Sequence, residues 1–86
     1  MVVYALRSLR DGGLYIGMTT DLQRRLKEHN HGYQRSTRVR APFEIVFVEE
    51  VASAAAARAR EKYLKSGVGR EFLRTVTGLR AAPPAS

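Results

Sequence analysis

Hydrophobic and polar positions along this chain follow two different periods, and the switches between them mark its elements. Val2 to Ser8 alternates roughly and is rich in β-branched and aromatic side chains, as a half-buried strand should be. Asp11-Gly12-Gly13 signals a hairpin turn, and Leu14-Tyr15-Ile16-Gly17 reads as the returning strand. A helical period takes over near Asp21, where Leu22, Arg25, Leu26 and His29 follow i, i+3, i+4, i+7. Thr20 is the expected N-cap of this helix, with Gln23 at capping-box spacing, and Asn30 or Gly32 its expected stop. A polar basic loop follows from His31 to Pro42. Phe43 to Val51 returns to the strand period, with Phe43, Ile45 and Phe47 set against Glu44, Val46 and Val48. Ser53 is placed to cap a second helix through the alanine-rich run to about Lys65, with Gly67 as its stop. A short third helix is expected over Gly69 to Val76.

The order β-β-α-β-α-α predicts an α/β fold in which a small three-stranded sheet, mixed or antiparallel, is flanked by two to three helices. Residues 1–78 are expected to form a single domain and 79–86 a frayed tail. There is no repeat and no internal linker.

At 86 residues the chain is short for building a core of its own, but 44% apolar content is ordinary for a folded domain. It has no cysteine, which rules out disulfides and thiolate metal sites and suits a reducing compartment. No apolar run approaches the roughly 18 residues of a membrane span. No basic segment precedes the apolar start, so a secretory signal is not read here and the cytoplasm is the expected location. Charge changes the picture more. Fifteen Lys and Arg against eight acids leave a net charge of +7, a balance that favours polyanionic partners. The cations cluster: Arg24, Arg25 and Lys27 on the first helix, Arg35, Arg38 and Arg40 in the loop, and Arg58, Arg60, Lys62 and Lys65 on the second helix.

The candidate chemistry sits inside the periodic segments. Arg25 and His29 share a stripe with two leucines, and partly buried cations need partners. Arg25 could extend its stem to solvent while His29 caps the helix, or both could face a phosphate, whose oxygens match the guanidinium fork. With a two-residue turn at Asp11-Gly12, Tyr15 faces Ser8, and Tyr4 shares its parity, so both phenols project from one sheet face. Tyrosines in strands are often packing residues, but these two share a face with polar groups. Glu61 stands on a half-apolar stripe with Ala57, Leu64 and Lys65; it is either a surface ion-pair partner or the lone carboxylate of a hard-cation site. No His/Cys cluster suggests zinc, and no Walker loop or nucleophile elbow is present.

Tyr4, the triplet Tyr15-Ile16-Gly17, Arg25, His29 and Glu61 together resemble the GIY-YIG nuclease superfamily, which includes the 3′-incising half of the bacterial repair excinuclease and certain homing endonucleases. Ten residues separate the tyrosines, nine lie between Tyr15 and Arg25, and three between Arg25 and His29. The runs from Asp21 to Asn30 and from Arg60 to Leu73 resemble small stand-alone bacterial members. The resemblance covers Val3 to about Arg74. It implies a three-stranded antiparallel sheet flanked by helices, with the site on one concave face. It implies that Glu61 holds one divalent ion, Mg²⁺ or Mn²⁺, and that Tyr4 or Tyr15 helps deprotonate the attacking water. Arg25 would stabilise charge on the scissile phosphate and His29 would support that phosphate. A phenol titrates near 10, so a tyrosine base requires a neighbouring cation to lower it.

The chain departs from the family pattern in places. Its first triplet is Val2-Val3-Tyr4, Met18 stands where some relatives have lysine, and Leu73-Arg74-Thr75 replaces an asparagine region, leaving Lys65 or Thr75 as substitutes. No extra DNA-binding domain is read, so target choice is expected from Arg24, Lys27, Arg35, Arg38, Arg40, Lys65 and Arg70 or from a protein partner. The function implied is a metal-dependent endonuclease acting on nucleic acid, DNA rather than RNA, and on branched, single-stranded or damaged forms. The alternatives are a non-cleaving nucleic-acid-binding module using the same basic face, or a protein indifferent to nucleic acid.

Overall fold

β1 (Val2–Ser8) is the central strand of a three-stranded sheet of order β2-β1-β3, antiparallel to both β2 (Leu14–Thr19) and β3 (Phe43–Glu50). The chain is seen here as a computed structural model that describes residues 1–32 and 35–78, with Arg35 and Ser36 described by their backbone alone. The tail expected over 79–86 lies outside the described residues. Val3, Tyr4, Ala5 and Leu6 are all buried because β1 is paired on both edges and covered on both faces. The α/β class and the antiparallel sheet are those the sequence and the family resemblance imply.

The hairpin is longer than the turn signal suggests. Tyr15 pairs with Leu6, not Ser8, and Tyr4 pairs with Gly17. The Ser8 amide donates to Gly13 O at 2.8 Å, and Gly12, at φ +76°, donates to Ser8 O at 2.9 Å. The Ser8 hydroxyl is buried in the loop, where it accepts from the Arg10 and Asp11 amides. The register thus moves by two residues from the expected one, and an even shift keeps parity. Tyr4 and Tyr15 therefore still share a face.

In β3 the expected alternation fails at a bulge: Ala5 pairs with Phe47 but Leu6 with Ile45. Val46 and Phe47 both pack on one side of the sheet, while Phe43 and Ile45 pack on the other.

α1 (Leu22–Asn30) is capped by Asp21 rather than Thr20; its carboxylate accepts the Arg24 amide at 3.1 Å, and a negative group suits a helix N-terminus. Within the expected loop, Arg35–Arg38 forms a single helical turn, α2. Ser53 caps α3 (Ala54–Lys65) as expected. α4 (Gly67–Thr77) begins two residues earlier than Gly69, so Gly67 lies within it and Ser66 makes the break. The Ser66 hydroxyl donates to Tyr63 O at 2.6 Å and accepts the Gly69 amide at 3.2 Å, serving both helices. The two helices meet closely here: a Cβ on Gly69 would fall on the Tyr63 carbonyl oxygen.

Two cores result. α3 and α4 cover Val3, Ala5 and Ile16 with Ala57, Leu64 and Leu73. α1 covers the other face, where Leu22 and Leu26 pack on Tyr4, Leu6 and Phe43. The second core is the one that carries polar chemistry.

Candidate functional site

His29 is the last inward residue of α1's apolar stripe and is fully buried. A buried imidazole needs partners for both nitrogens. Nε2 lies 3.2 Å from the Tyr4 hydroxyl and Nδ1 2.8 Å from that of Thr37, which α2 delivers. The ring lies 4.7 Å from the centre of Tyr15 and meets Phe43 edge-on at 5.9 Å. Burial, with the Arg25 charge adding to it, holds His29 below the ordinary 6.5 against an opposing effect of Glu28. His29 is thus neutral at neutral pH. Being fully buried in the free protein, it reaches the rest of the site through the Tyr4 hydroxyl, which is itself buried.

Tyr4 is 1% exposed, and its phenol lies over Gly17, the residue opposite it in the sheet. Burial raises its pKa well above 10; Tyr15 adds to that, Arg25 opposes it, and Glu61 and Glu28 raise it further. Arg25 therefore does not lower Tyr4 to a working base in the free protein. Tyr15, centred 6.4 Å from Tyr4, is only half-buried and is the more accessible phenol.

Three charged side chains from two helices act on this phenol, Arg25, Glu28 and Glu61, and the first two act on its histidine as well. Arg25 Nη1 binds Glu28 Oε1 at 3.2 Å, and Glu28 also holds Arg24 Nε at 3.3 Å. Glu61 comes from α3, on the far side of the sheet, yet is near enough to act on Tyr4. Its carboxylate pairs with Lys65 at 3.1 Å, beside a groove of about 230 Å³ lined by Arg58, Glu61, Lys62 and Lys65. Of the five sequence-predicted residues, Tyr4, Tyr15 and His29 pack together, while Arg25 and Glu61 act on Tyr4 through their charge alone.

Among the described residues no three His, Cys, Asp or Glu stand together as a metal cage. The donors present are a carboxylate and phenol oxygens. That set fits a hard ion such as Mg²⁺ or Mn²⁺, which keeps its waters and takes one carboxylate plus phosphate, and does not fit zinc.

The outlying cations divide. Arg24, Lys27 and Arg38 are exposed on α1 and α2, and Lys65 and Arg70 on α3 and α4. Arg40 is partly exposed and already paired. It binds Asp11 at 3.2 Å and Leu14 O at 3.4 Å and lies 5.8 Å over the Phe43 ring, tying the hairpin to the start of β3. The Arg35 side chain lies outside the described residues. Of the two substitutes for the missing asparagine, Lys65 stands beside Glu61, whereas the Thr75 hydroxyl donates to Glu71 O within α4.

Three residues at the site carried no sequence signal that was read as functional. Thr37 is a small polar residue in a loop-like run. Glu28 could have been found from its spacing to Arg24 and Arg25. Asn30, expected only as a helix stop, holds both backbone groups of Phe43: it accepts the amide at 2.6 Å and donates to the carbonyl at 3.3 Å.

A three-stranded antiparallel sheet flanked by helices, with two phenols and a buried histidine packed on one face, defines a small GIY-YIG-type α/β domain. The chain belongs to the GIY-YIG family, whose catalytic-domain model matches residues 1–72. It is 44% identical over 57 residues to a UPF0213 protein of Streptococcus pneumoniae, covering 65% of this chain and 58% of that protein. A UPF0213 protein of Natronomonas pharaonis is 45% identical over 65 residues, covering 74% of this chain and 75% of that one. The solution NMR structure of a UPF0213 protein from Bacillus halodurans matches with a TM-score of 0.53 and 36% identity, covering 90% of this chain and 84% of that chain. The chain thus matches less than two thirds of the length of the pneumococcal relative. Among the described residues no helix is long and apolar enough to cross a membrane.

Proposed function

We propose that this chain is a divalent-metal-dependent endonuclease that hydrolyses phosphodiester bonds of DNA. The observation that supports the reading is the packing of Tyr15 against Tyr4, whose hydroxyl is held by a buried neutral histidine and feels the charges of Arg25 and Glu61. Phosphodiester cleavage needs fixed positive charge at the phosphate and ordered groups around the nucleophile. Arg25, partly exposed and paired with Glu28 in the free protein, would offer its fork to the scissile phosphate. Tyr15, the accessible phenol, meets the attacking water, and Tyr4 positions it. Glu61 would hold Mg²⁺ or Mn²⁺, which when bound supplies Lewis-acid polarisation of a phosphoryl oxygen. Arg24, Lys27, Arg38, Lys65 and Arg70 form the basic surround that grips the backbone, and Ile16 and Gly17 are structural. Branched, single-stranded or damaged DNA is the proposed substrate class, with a protein partner supplying target choice. A role in DNA repair in the cytoplasm goes with this reading.

One observation favours a second reading, a binding module without cleavage: Glu61 is already neutralised by Lys65. Nicking of supercoiled plasmid and of a labelled branched DNA, with Mg²⁺ or Mn²⁺, separates the two. Metal-dependent cutting by the wild type that Glu61→Ala abolishes supports the nuclease. Salt-sensitive binding without cutting, retained or tightened in Glu61→Ala, supports the module.

A further inference from the structure

His29 is asked to serve two hydroxyls at once, Tyr4 on the sheet and Thr37 on α2, and all three residues are buried. A neutral imidazole has one N–H and one lone pair, so it cannot treat both neighbours alike. Among the described residues, His29 Nε2 is the hydrogen-bond partner of the Tyr4 oxygen. A buried hydroxyl proton left without an acceptor costs more than a lone pair left without a donor. The Tyr4 hydroxyl therefore donates to Nε2, and the ring proton sits on Nδ1, 2.8 Å from the Thr37 oxygen. A threonine hydroxyl can accept that proton and still donate elsewhere.

We propose that Thr37 is a positioning residue: by accepting the Nδ1 proton it holds His29 in the tautomer whose bare Nε2 takes the Tyr4 hydroxyl proton. The Tyr4 oxygen then has only lone pairs left for its neighbour Tyr15, and acts there as an acceptor. In the nuclease reading, on which this consequence alone rests, the acceptor orients the Tyr15 phenol, which is the one that meets the attacking water. The single turn of α2 thereby supports, together with the Tyr4 hydroxyl, one polarity of the site without touching substrate.

The test is ¹⁵N NMR of the full chain labelled at histidine, which has only His29 and His31 to assign. In the wild type, His29 should show a protonated Nδ1 and a bare Nε2. Thr37→Val, close in shape but unable to accept, should shift the two resonances toward each other or exchange them, and Thr37→Ser should restore the wild-type pair. A protonated Nε2 in the wild type, or an unchanged tautomer in Thr37→Val, would overturn the proposal even if a variant folds poorly. Where plasmid nicking is measurable, Thr37→Val should lower kcat with KM unchanged, on the order of the 10-fold that removing an outer partner of a metal-bound histidine costs. Because the tautomer is read without any cleavage, failure of the nuclease reading and failure of this proposal give different results.

Discussion

Tyr4 and Gly17 face each other across β1 and β2, and the phenol occupies the space a side chain at Gly17 would need. A Cβ there would stand 2.6 Å from the Tyr4 hydroxyl oxygen and 3.2 Å from the Tyr15 ring. The glycine is thus required by close approach and not by a turn. Gly17→Ala should push the Tyr4 hydroxyl off His29 and destabilise the domain by about 1–3 kcal/mol, as overpacking does. A lowered urea midpoint, with loss of NOEs between Tyr4 and His29, checks this; unchanged NOEs would show that the phenol has room to spare.

Glu28 restrains Arg25 and Arg24 together. Glu28→Gln should free both guanidiniums and tighten DNA binding several-fold at low salt, with the gain shrinking as salt rises. Its effect on stability should stay within about 1 kcal/mol, because both pairs are partly exposed. Fluorescence anisotropy across a salt series reads the effect.

The buried His29 gives stability a pH dependence of known sign. Its folded pKa lies below the ordinary 6.5, so between the two values the unfolded chain binds a proton that the folded chain refuses. Stability should be full above about 6.5 and fall as pH drops from there toward the folded pKa. His29→Gln should be less stable at neutral pH and lack this slope. Thermal melts of both proteins from pH 5 to 8 measure it, and parallel curves would refute the assignment.

Asn30 substitutes for a strand neighbour at the start of β3, where Phe43 is buried. Asn30→Ala would leave the Phe43 amide without its acceptor, at a cost of about 1–3 kcal/mol. Faster amide exchange at Phe43 and a lowered melting temperature are the expected readouts.

Gly69 has a different task, the close crossing of α3 and α4. Gly69→Ala should separate the two helices and destabilise the domain, since the Cβ would meet the Tyr63 carbonyl rather than a movable side chain. Circular dichroism melts would show it, while Gly67→Ala, with open space at that position, should be tolerated.

Local patterns made much of this protein readable from its sequence. Strand alternation, the Asp11-Gly12-Gly13 turn and the Ser53 cap act over a few residues, so the element order and most boundaries followed from them. The spacing of Tyr4, Tyr15, Arg25, His29 and Glu61 named the residues of the candidate site, because alternation and helical period place each on a face. What depended on contacts between distant segments was not readable. The hairpin register rests on the buried Ser8 hydroxyl, the β3 bulge on how Val46 and Phe47 fill the α3–α4 core, and the Thr20-to-Asp21 change of cap on the Thr19 hydroxyl holding the Asp21 amide at 3.1 Å. Likewise Arg40 reads as a free cation in sequence and becomes a brace only when the hairpin and β3 are brought together. Periodicity could place His29 on the inner face, but only tertiary packing set it between Tyr4 and Thr37, because burial and paired hydroxyls, unlike spacing, are properties of neighbours far apart in the chain.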